Sequence, residues 1–302
     1  MTAPLVAWCP AKVNLALKVI DRRADGYHEL DTVFQAIDLW DRLEIRPDRR
    51  LTFSCDDAEL PTDERNLVVQ AARRVRELAS DPPPGAALHL SKIIPVQAGL
   101  GGGSSDAAGA LMLCARYWGV PLDGEEMHRL AGELGADVPF FLAGGTARGL
   151  GRGDRIEPLP FIGEIGLVLG LPPFGIATRE VFAGVRTRLT LPRNGVSLPA
   201  VIARKWPGDN DFSFATNDLE RVVFGRWPEL RRFRDALLDE GARGALLSGS
   251  GSTVYGLFAG TFGPGHVVER LTERFPDWTI LPTRTVAGGA RVEASAEDNR
   301  GD

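Results

Sequence analysis

The sequence predicts an α+β fold in two domains, and three observations carry that prediction. The chain has 302 residues, about twice the ~150 of a common domain. Its first hundred residues alternate at the two-residue period of strands, interrupted by one helical pattern. Its second half mixes helical patterns with short apolar runs of strand length. A content of 44% hydrophobic, 25% charged and 8% aromatic residues supports a packed core and excludes collagen-like, mucin-like and wholly disordered chains.

The elements follow in order. Alternation marks short strands over 14–19, 32–37, 42–45 and 51–54, with a turn-rich segment over 21–28 between the first two. From Glu64 to Leu78, apolar residues recur at helical spacing, and the proline run that follows ends the helix. Leu88 and Leu90 open another strand. A glycine-rich loop, 99–106, then leads into a helix expected over Ala107 to Trp118. Asp123 and Glu126 spell a capping box for the next helix, which stops near Gly135.

Residues 144–159 read as a hairpin connection, and the domain boundary falls near 158–163. The expected division is 1–160, 161–287 and a frayed tail over 288–302, which lacks periodicity. In the second half a strand is expected over 165–171. Helices are expected over 178–185, 217–224, 230–240 and 266–275, with strands near 245, 254 and 279.

Charge and cysteine usage narrow the function. Lys and Arg number 35 against 40 Asp and Glu, a net charge of −5, which disfavours nucleic acid or an anionic membrane as a partner. No run approaches the ~18 apolar residues of a membrane span. Cys9, Cys55 and Cys114 include no C-x-x-C pair, so they spell neither a disulfide framework nor a zinc site, and a reducing, cytoplasmic setting is expected.

The glycine-rich loop has a physical use. A helix start offers unpaired N–H groups and positive potential, and residues without side chains let phosphate oxygens reach them. Ser104 and Ser105 add hydroxyls suited to a phosphate or a magnesium ion. The spelling is neither a Walker loop, since no lysine follows, nor a dinucleotide fingerprint, since Ser104 stands where the third glycine belongs.

Other residues are ambiguous alone. Asp137, between Gly135 and Pro139, suits either a general base or the cap of a short helix, and capping is the better reading without context. Lys12, two residues before Asn14, suits a charge partner or an ordinary solvated lysine. Tyr27 and His28 suit base stacking and edge recognition, or plain packing. Residues 248–255 form a second small-residue loop. No serine-hydrolase elbow and no histidine pair for a metal are spelled.

Five segments in this order carry more: Pro10-Ala-Lys-Val-Asn-Leu15, Arg23-Ala-Asp-Gly-Tyr-His-Glu29, Gly99-Leu-Gly-Gly-Gly-Ser-Ser-Asp-Ala-Ala108, Leu134-Gly-Ala-Asp-Val-Pro139 and Leu247-Ser-Gly-Ser-Gly-Ser252. Together they resemble the GHMP kinase superfamily, and within it the branch acting on 4-diphosphocytidyl-2-C-methyl-D-erythritol. The resemblance spans about Pro10 to Thr285. It implies an N-terminal domain like domain 2 of ribosomal protein S5, a ferredoxin-like C-terminal domain, and a cleft between them for ATP with Mg2+ and a small-molecule alcohol.

By motif matching, the resemblance assigns ATP to Gly99, Gly101, Gly102, Gly103, Ser104 and Ser105. It makes Asp137 the catalytic base, Lys12 its partner and Asn14 a neighbour of the acceptor. Tyr27 and His28 match the segment that recognises cytidine, Phe182 the other side of an aromatic clamp, and Thr178 an acceptor contact. Metal-ligating residues and the oligomeric state stay unassigned. The rival expectations are a homoserine or mevalonate-type kinase and a catalytically silent nucleotide sensor.

Overall fold

The computed structural model describes residues 5–79, 83–185, 212 and 215–294. Two sheets organise it. The first is built on a long antiparallel hairpin, β1 (Leu5–Arg22) and β2 (His28–Asp48). Here the several short strands read from the sequence fuse. Register shifts at Pro10/Ala11, Asn14/Ala16 and Val19/Asp21 break the alternation without ending the pairing, as bulges do.

Outward from β2, β4 (Gly85–Ser91) pairs antiparallel and β3 (Thr52–Cys55) pairs parallel to β4. The other half of β2 carries the hairpin β5 (Thr146–Gly151) and β6 (Arg155–Leu159). Four helices cover this sheet: α1 (Leu67–Glu77), α2 (Gly102–Trp118), α3 (Gly124–Leu134) and α4 (Val138–Ala143). Asn66 caps α1 by accepting from the Val68 N–H, and Asp123 caps α3 by accepting from the Glu126 N–H. The return half of the expected capping box is replaced by an ion pair of Glu126 with Arg129.

The second sheet runs β11-β7-β10-β9, all antiparallel, from β7 (Gly166–Leu171), β9 (Gly244–Leu247), β10 (Val254–Phe258) and β11 (Thr279–Arg284). With helices between its first and second strands and between its third and fourth, this is the ferredoxin-like β-α-β-β-α-β plan. Its helices are α5 (Thr178–Ala183), α6 (Glu220–Arg226), α7 (Pro228–Asp239) and α8 (Gly265–Arg274). The helix read from Asn217 starts at Glu220, because Thr216 and Asn217 form a short strand, β8, parallel to β1.

Two further expectations need correction. The segment from Gly288 is not a tail throughout: Arg291–Ala294 forms β12, antiparallel to Leu5–Trp8 of β1. Those residues are polar because they occupy a sheet edge, and the edge of β1 supplies the pairing that their own pattern does not announce. Residues 295–302 lie outside the described residues. The helix after the glycine loop also begins at Gly102, not Ala107. Glycine is needed there because a Cβ on Gly102 would lie 2.8 Å from Lys92 Nζ and 2.9 Å from Ile94 Cγ2.

The core falls into three clusters. One lies between the first sheet and α1 to α4, centred on Leu43, Leu88, Leu111 and Phe140. A second joins the sheets, packing Val13, Leu15 and Ile37 on Leu167, Leu169 and Tyr255. The third packs α6 to α8 on the second sheet around Phe233, Leu237 and Leu271. The fully buried Tyr255 donates its hydroxyl to the Asn14 carbonyl at 2.8 Å, so one tyrosine fixes the second sheet to the strand carrying Lys12 and Asn14.

Candidate active site

A cavity of about 1110 Å³ opens between the two sheets. Lys12, Asn14, Tyr27, His28, Gly99, Gly101, Gly102, Gly103, Ser104, Asp137, Thr178 and Phe182 all line it. Residues scattered from position 12 to position 182 thus converge on one space. Ser105 is the exception among the expected residues. It is fully buried and its Oγ has no hydrogen-bond partner among the described residues, so its hydroxyl faces the interior, and of the two serines Ser104 alone lines the cavity.

The glycine loop is shaped for close approach. Gly99 and Gly101 have φ of +75° and +72°, values that side chains resist. A Cβ on Gly99 would sit 2.2 Å from the Ser248 carbonyl oxygen, and one on Gly101 would sit 2.7 Å from the Phe141 ring. The second small-residue loop is therefore the loop's backing: Ser248 Oγ donates to the Gly99 carbonyl at 2.9 Å, and the Thr253 N–H to Ala98 at 3.1 Å. On the other side, the Lys12 N–H donates to the Leu100 carbonyl at 2.9 Å. Pinned on both sides, the loop delivers the first turn of α2 to the cavity with its N–H groups unpaired and its positive end forward.

Lys12 and Asp137 face each other beside that turn. Lys12 Nζ is 3.7 Å from Asp137 Oδ2 and donates to Asn14 Oδ1 at 2.8 Å. Asn14 in turn donates to Thr32 Oγ1, and Thr32 donates to the Ala16 carbonyl, so each atom of the chain has a fixed role. Lys12 is 4% exposed and Asp137 34%. Burial lowers the Lys12 pKa, and the carboxylate of Asp137 opposes that shift. The cap alternative for Asp137 is decided: it stands at the N-cap position of α4 but its side chain makes no capping bond. It points to Lys12 instead.

The aromatic residues occupy another wall. His28 and Phe182 rings lie 5.1 Å apart at 32°. Arg152 stands over the Tyr27 ring at 5.3 Å, held by Asp154 at 2.7 Å, and Tyr27 is 58% exposed. Burial, then the nearby Arg22, lowers the His28 pKa and favours the neutral imidazole. Thr178 Oγ1 lies 2.9 Å from Ser250 Oγ, which ties α5 to the second small-residue loop.

Among the lining residues that sequence reasoning did not assign to the site are Lys92 and Asp106. Lys92 pairs with Asp41, and its Nζ is 3.4 Å from Asp106 Oδ2. Burial works against the Lys92 charge, but Asp106 and Asp41 outweigh it and raise its pKa. Burial likewise pushes the Asp106 carboxyl well above its ordinary range, with Lys92 opposing and Asp41 adding to the rise. The scarcity of lysine was the one available signal. Among the described residues, no three or more His, Cys, Asp or Glu group as a metal site, and no helix is long and apolar enough to cross a membrane.

Known proteins resemble this chain in sequence and fold. Residues 66–145 match the family model of the GHMP kinases N terminal domain, and residues 198–277 that of the GHMP kinases C terminal region. A 4-diphosphocytidyl-2-C-methyl-D-erythritol kinase of Pelotomaculum thermopropionicum is 40% identical over 283 residues, covering 93% of this chain and 98% of that one. The crystal structure of a 4-(cytidine 5'-diphospho)-2C-methyl-D-erythritol kinase superposes with a TM-score of 0.76 at 36% identity, covering 94% of this chain and all of that one. A homoserine kinase from Cytophaga hutchinsonii shares the fold alone, with a TM-score of 0.71 at 18% identity. Identity of this extent over nearly the whole of both chains establishes that the protein belongs to the 4-diphosphocytidyl-2-C-methyl-D-erythritol kinase family of GHMP kinases.

Proposed function

We propose that the protein transfers the γ-phosphate of ATP to the 2-hydroxyl of 4-diphosphocytidyl-2-C-methyl-D-erythritol, giving the 2-phosphate and ADP. The observation that carries this reading is the convergence of Lys12, Asp137 and the first turn of α2 in one cavity with the His28 and Phe182 rings on another wall. The first three suit phosphoryl transfer to an alcohol. The rings suit an acceptor that carries a nucleobase, which homoserine and mevalonate do not.

The chemistry follows from the positions. The triphosphate lies against the N–H groups of the first turn of α2, where Gly103 and Ser104 face the cavity. Asp137 hydrogen-bonds the acceptor hydroxyl and takes its proton as the oxygen bonds to the γ-phosphorus and the bond to the β,γ-bridging oxygen breaks. Lys12, fixed by Asn14, offsets the charge on the transferring group. Positioning and electrostatics supply most of the rate in such reactions. The chain offers no carboxylate cage for Mg2+ among its described residues. The hard ion would be held chiefly by phosphate oxygens and water beside the first turn of α2, and there it would neutralise charge on the nucleotide.

The test is ADP release with ATP, Mg2+ and the cytidine-linked acceptor, with the product identified by phosphorus NMR. A 2-phosphate formed by the wild type, and inhibition by CDP competitive with the acceptor, are expected. Equal turnover of homoserine or mevalonate, or ADP release independent of any acceptor, would reject the assignment.

A further inference from the structure

The phosphate-binding turn has a buried ionic foundation that the transfer chemistry does not use. Asp41 of β2 is fully buried. Its Oδ1 accepts the N–H groups of Ile93 at 2.6 Å and Ile94 at 2.8 Å, and its Oδ2 accepts the Lys92 ammonium. Lys92 Nζ then reaches Asp106 Oδ2 at 3.4 Å, on the first turns of α2. The glycine loop runs from one end of this chain of contacts to the other: Ile94 precedes it and Asp106 closes it. The ammonium also sits directly under Gly102, where a Cβ would come within 2.8 Å of it.

We infer that Lys92, seated between Asp41 and Asp106, is a positioning residue for the nucleotide, stapling both ends of the phosphate-binding loop to each other and to β2. The inference rests on reading the start of α2 as the triphosphate site. Three ionisable side chains, of which Lys92 is 5% and Asp41 0% exposed, are costly to bury and are a weak source of net stability. What they supply is geometry. A loop whose ends are fixed before the ligand arrives loses less conformational freedom on binding, so affinity improves without any new contact. No bond of this set reaches Tyr27, His28, Thr178 or Phe182, so its removal is selective for the nucleotide.

The test compares wild type with Asp41→Asn/Lys92→Met. The pair removes one cation and one anion together, Asn Oδ1 still accepts both N–H groups, and Asp106, whose pKa burial already raises, is left favouring its neutral form. Asp106→Leu, close to aspartate in shape, cuts the same set at its other end and leaves the Lys92–Asp41 pair whole. In ligand-free protein, amides of 96–104 should exchange about 10-fold faster in both variants, a local opening without global unfolding. By calorimetry the Kd for ATP should rise ~10-fold while that for the cytidine-linked acceptor stays within ~2-fold. Unchanged loop exchange in either folded variant, or equal loss of both ligands, would overturn the inference. The exchange arm needs no ligand, so a wild type that fails to bind ATP would reject the phosphate-site reading and still leave the staple decided.

Discussion

Lys12 Nζ stands 3.7 Å from Asp137 Oδ2 while donating a 2.8 Å hydrogen bond to Asn14. The separation lets the ammonium act on the carboxylate by charge while leaving its oxygens free for a third group. An acceptor hydroxyl is the group that geometry suits. Because Asp137 caps nothing and is 34% exposed, Asp137→Asn should fold with little change in Tm. Its kcat should fall by about 10²- to 10⁴-fold, the usual worth of a positioned base. A folded variant retaining most of its kcat would remove Asp137 from the chemistry.

The same pair predicts how activity responds to alkali. Burial lowers the Lys12 pKa from 10.5, and Asp137 only partly opposes it. The ammonium is therefore lost at a lower pH than in a free lysine, and kcat/KM should begin to fall below 10.5. Stability moves the other way. The unfolded chain holds this proton more tightly than the folded one, so between the lowered value and 10.5 this group's contribution to stability rises with pH. Alkaline loss of rate should thus occur with no loss of Tm attributable to Lys12. Activity and Tm falling together in that range, with Lys12→Met showing the same rate limb, would contradict the assignment.

How far the sequence revealed this molecule depends on whether a feature is local. The glycine loop was legible because left-handed backbone at Gly99 and Gly101 leaves its mark in the residue type itself. Asp137 was visible as a helix-cap spelling, but only the fold brings Lys12 to it, and motif resemblance rather than spacing gave it a role. Lys92, Asp41 and Asp106 were illegible as a set because their link runs across 51 residues from Asp41 to Lys92; Asp106 lies in the glycine-rich segment, but neither Asp41 nor Lys92 belongs to a recognisable pattern. The edge strand at 291–294 was hidden for a similar reason, since β1 makes it a strand. Ser105 looked equivalent to Ser104 by composition, and helix phase separates them: one faces the cavity and the other the core.

Glycines 99 and 103 should respond to alanine in opposite ways. Gly99→Ala combines φ of +75° with a Cβ 2.2 Å from a backbone oxygen, so the loop must shift and stability should drop by about 1–3 kcal/mol. Nothing lies within 4 Å of a Cβ on Gly103, and alanine is the better helix residue by ~0.5–1 kcal/mol. Gly103→Ala should keep or raise Tm. If phosphate oxygens approach the first turn, however, the methyl stands in their way and KM for ATP should rise ~10-fold, about 1.4 kcal/mol. A Gly103→Ala enzyme with unchanged ATP KM would mean that the phosphates do not rest there.

His28 offers a pH test of the cytosine assignment. Burial and the neighbouring Arg22 lower its pKa from 6.5, so the imidazole is neutral at pH 7, with one nitrogen donating and the other accepting. Protonation converts the acceptor into a second donor and adds charge beside Phe182, 5.1 Å away. The acceptor KM should therefore be flat near neutrality and rise as pH falls through the lowered His28 value, while the ATP KM stays flat. His28→Ala should raise the acceptor KM by ~10-fold, the size of one lost polar contact, and abolish the acid limb. Phe182→Ala should raise it by a similar ~10-fold through lost stacking but retain the limb, because His28 still titrates. An acid limb that survives in His28→Ala belongs to another group, and equal effects on both substrates would show that His28 supports the cleft as a whole instead of reading the base.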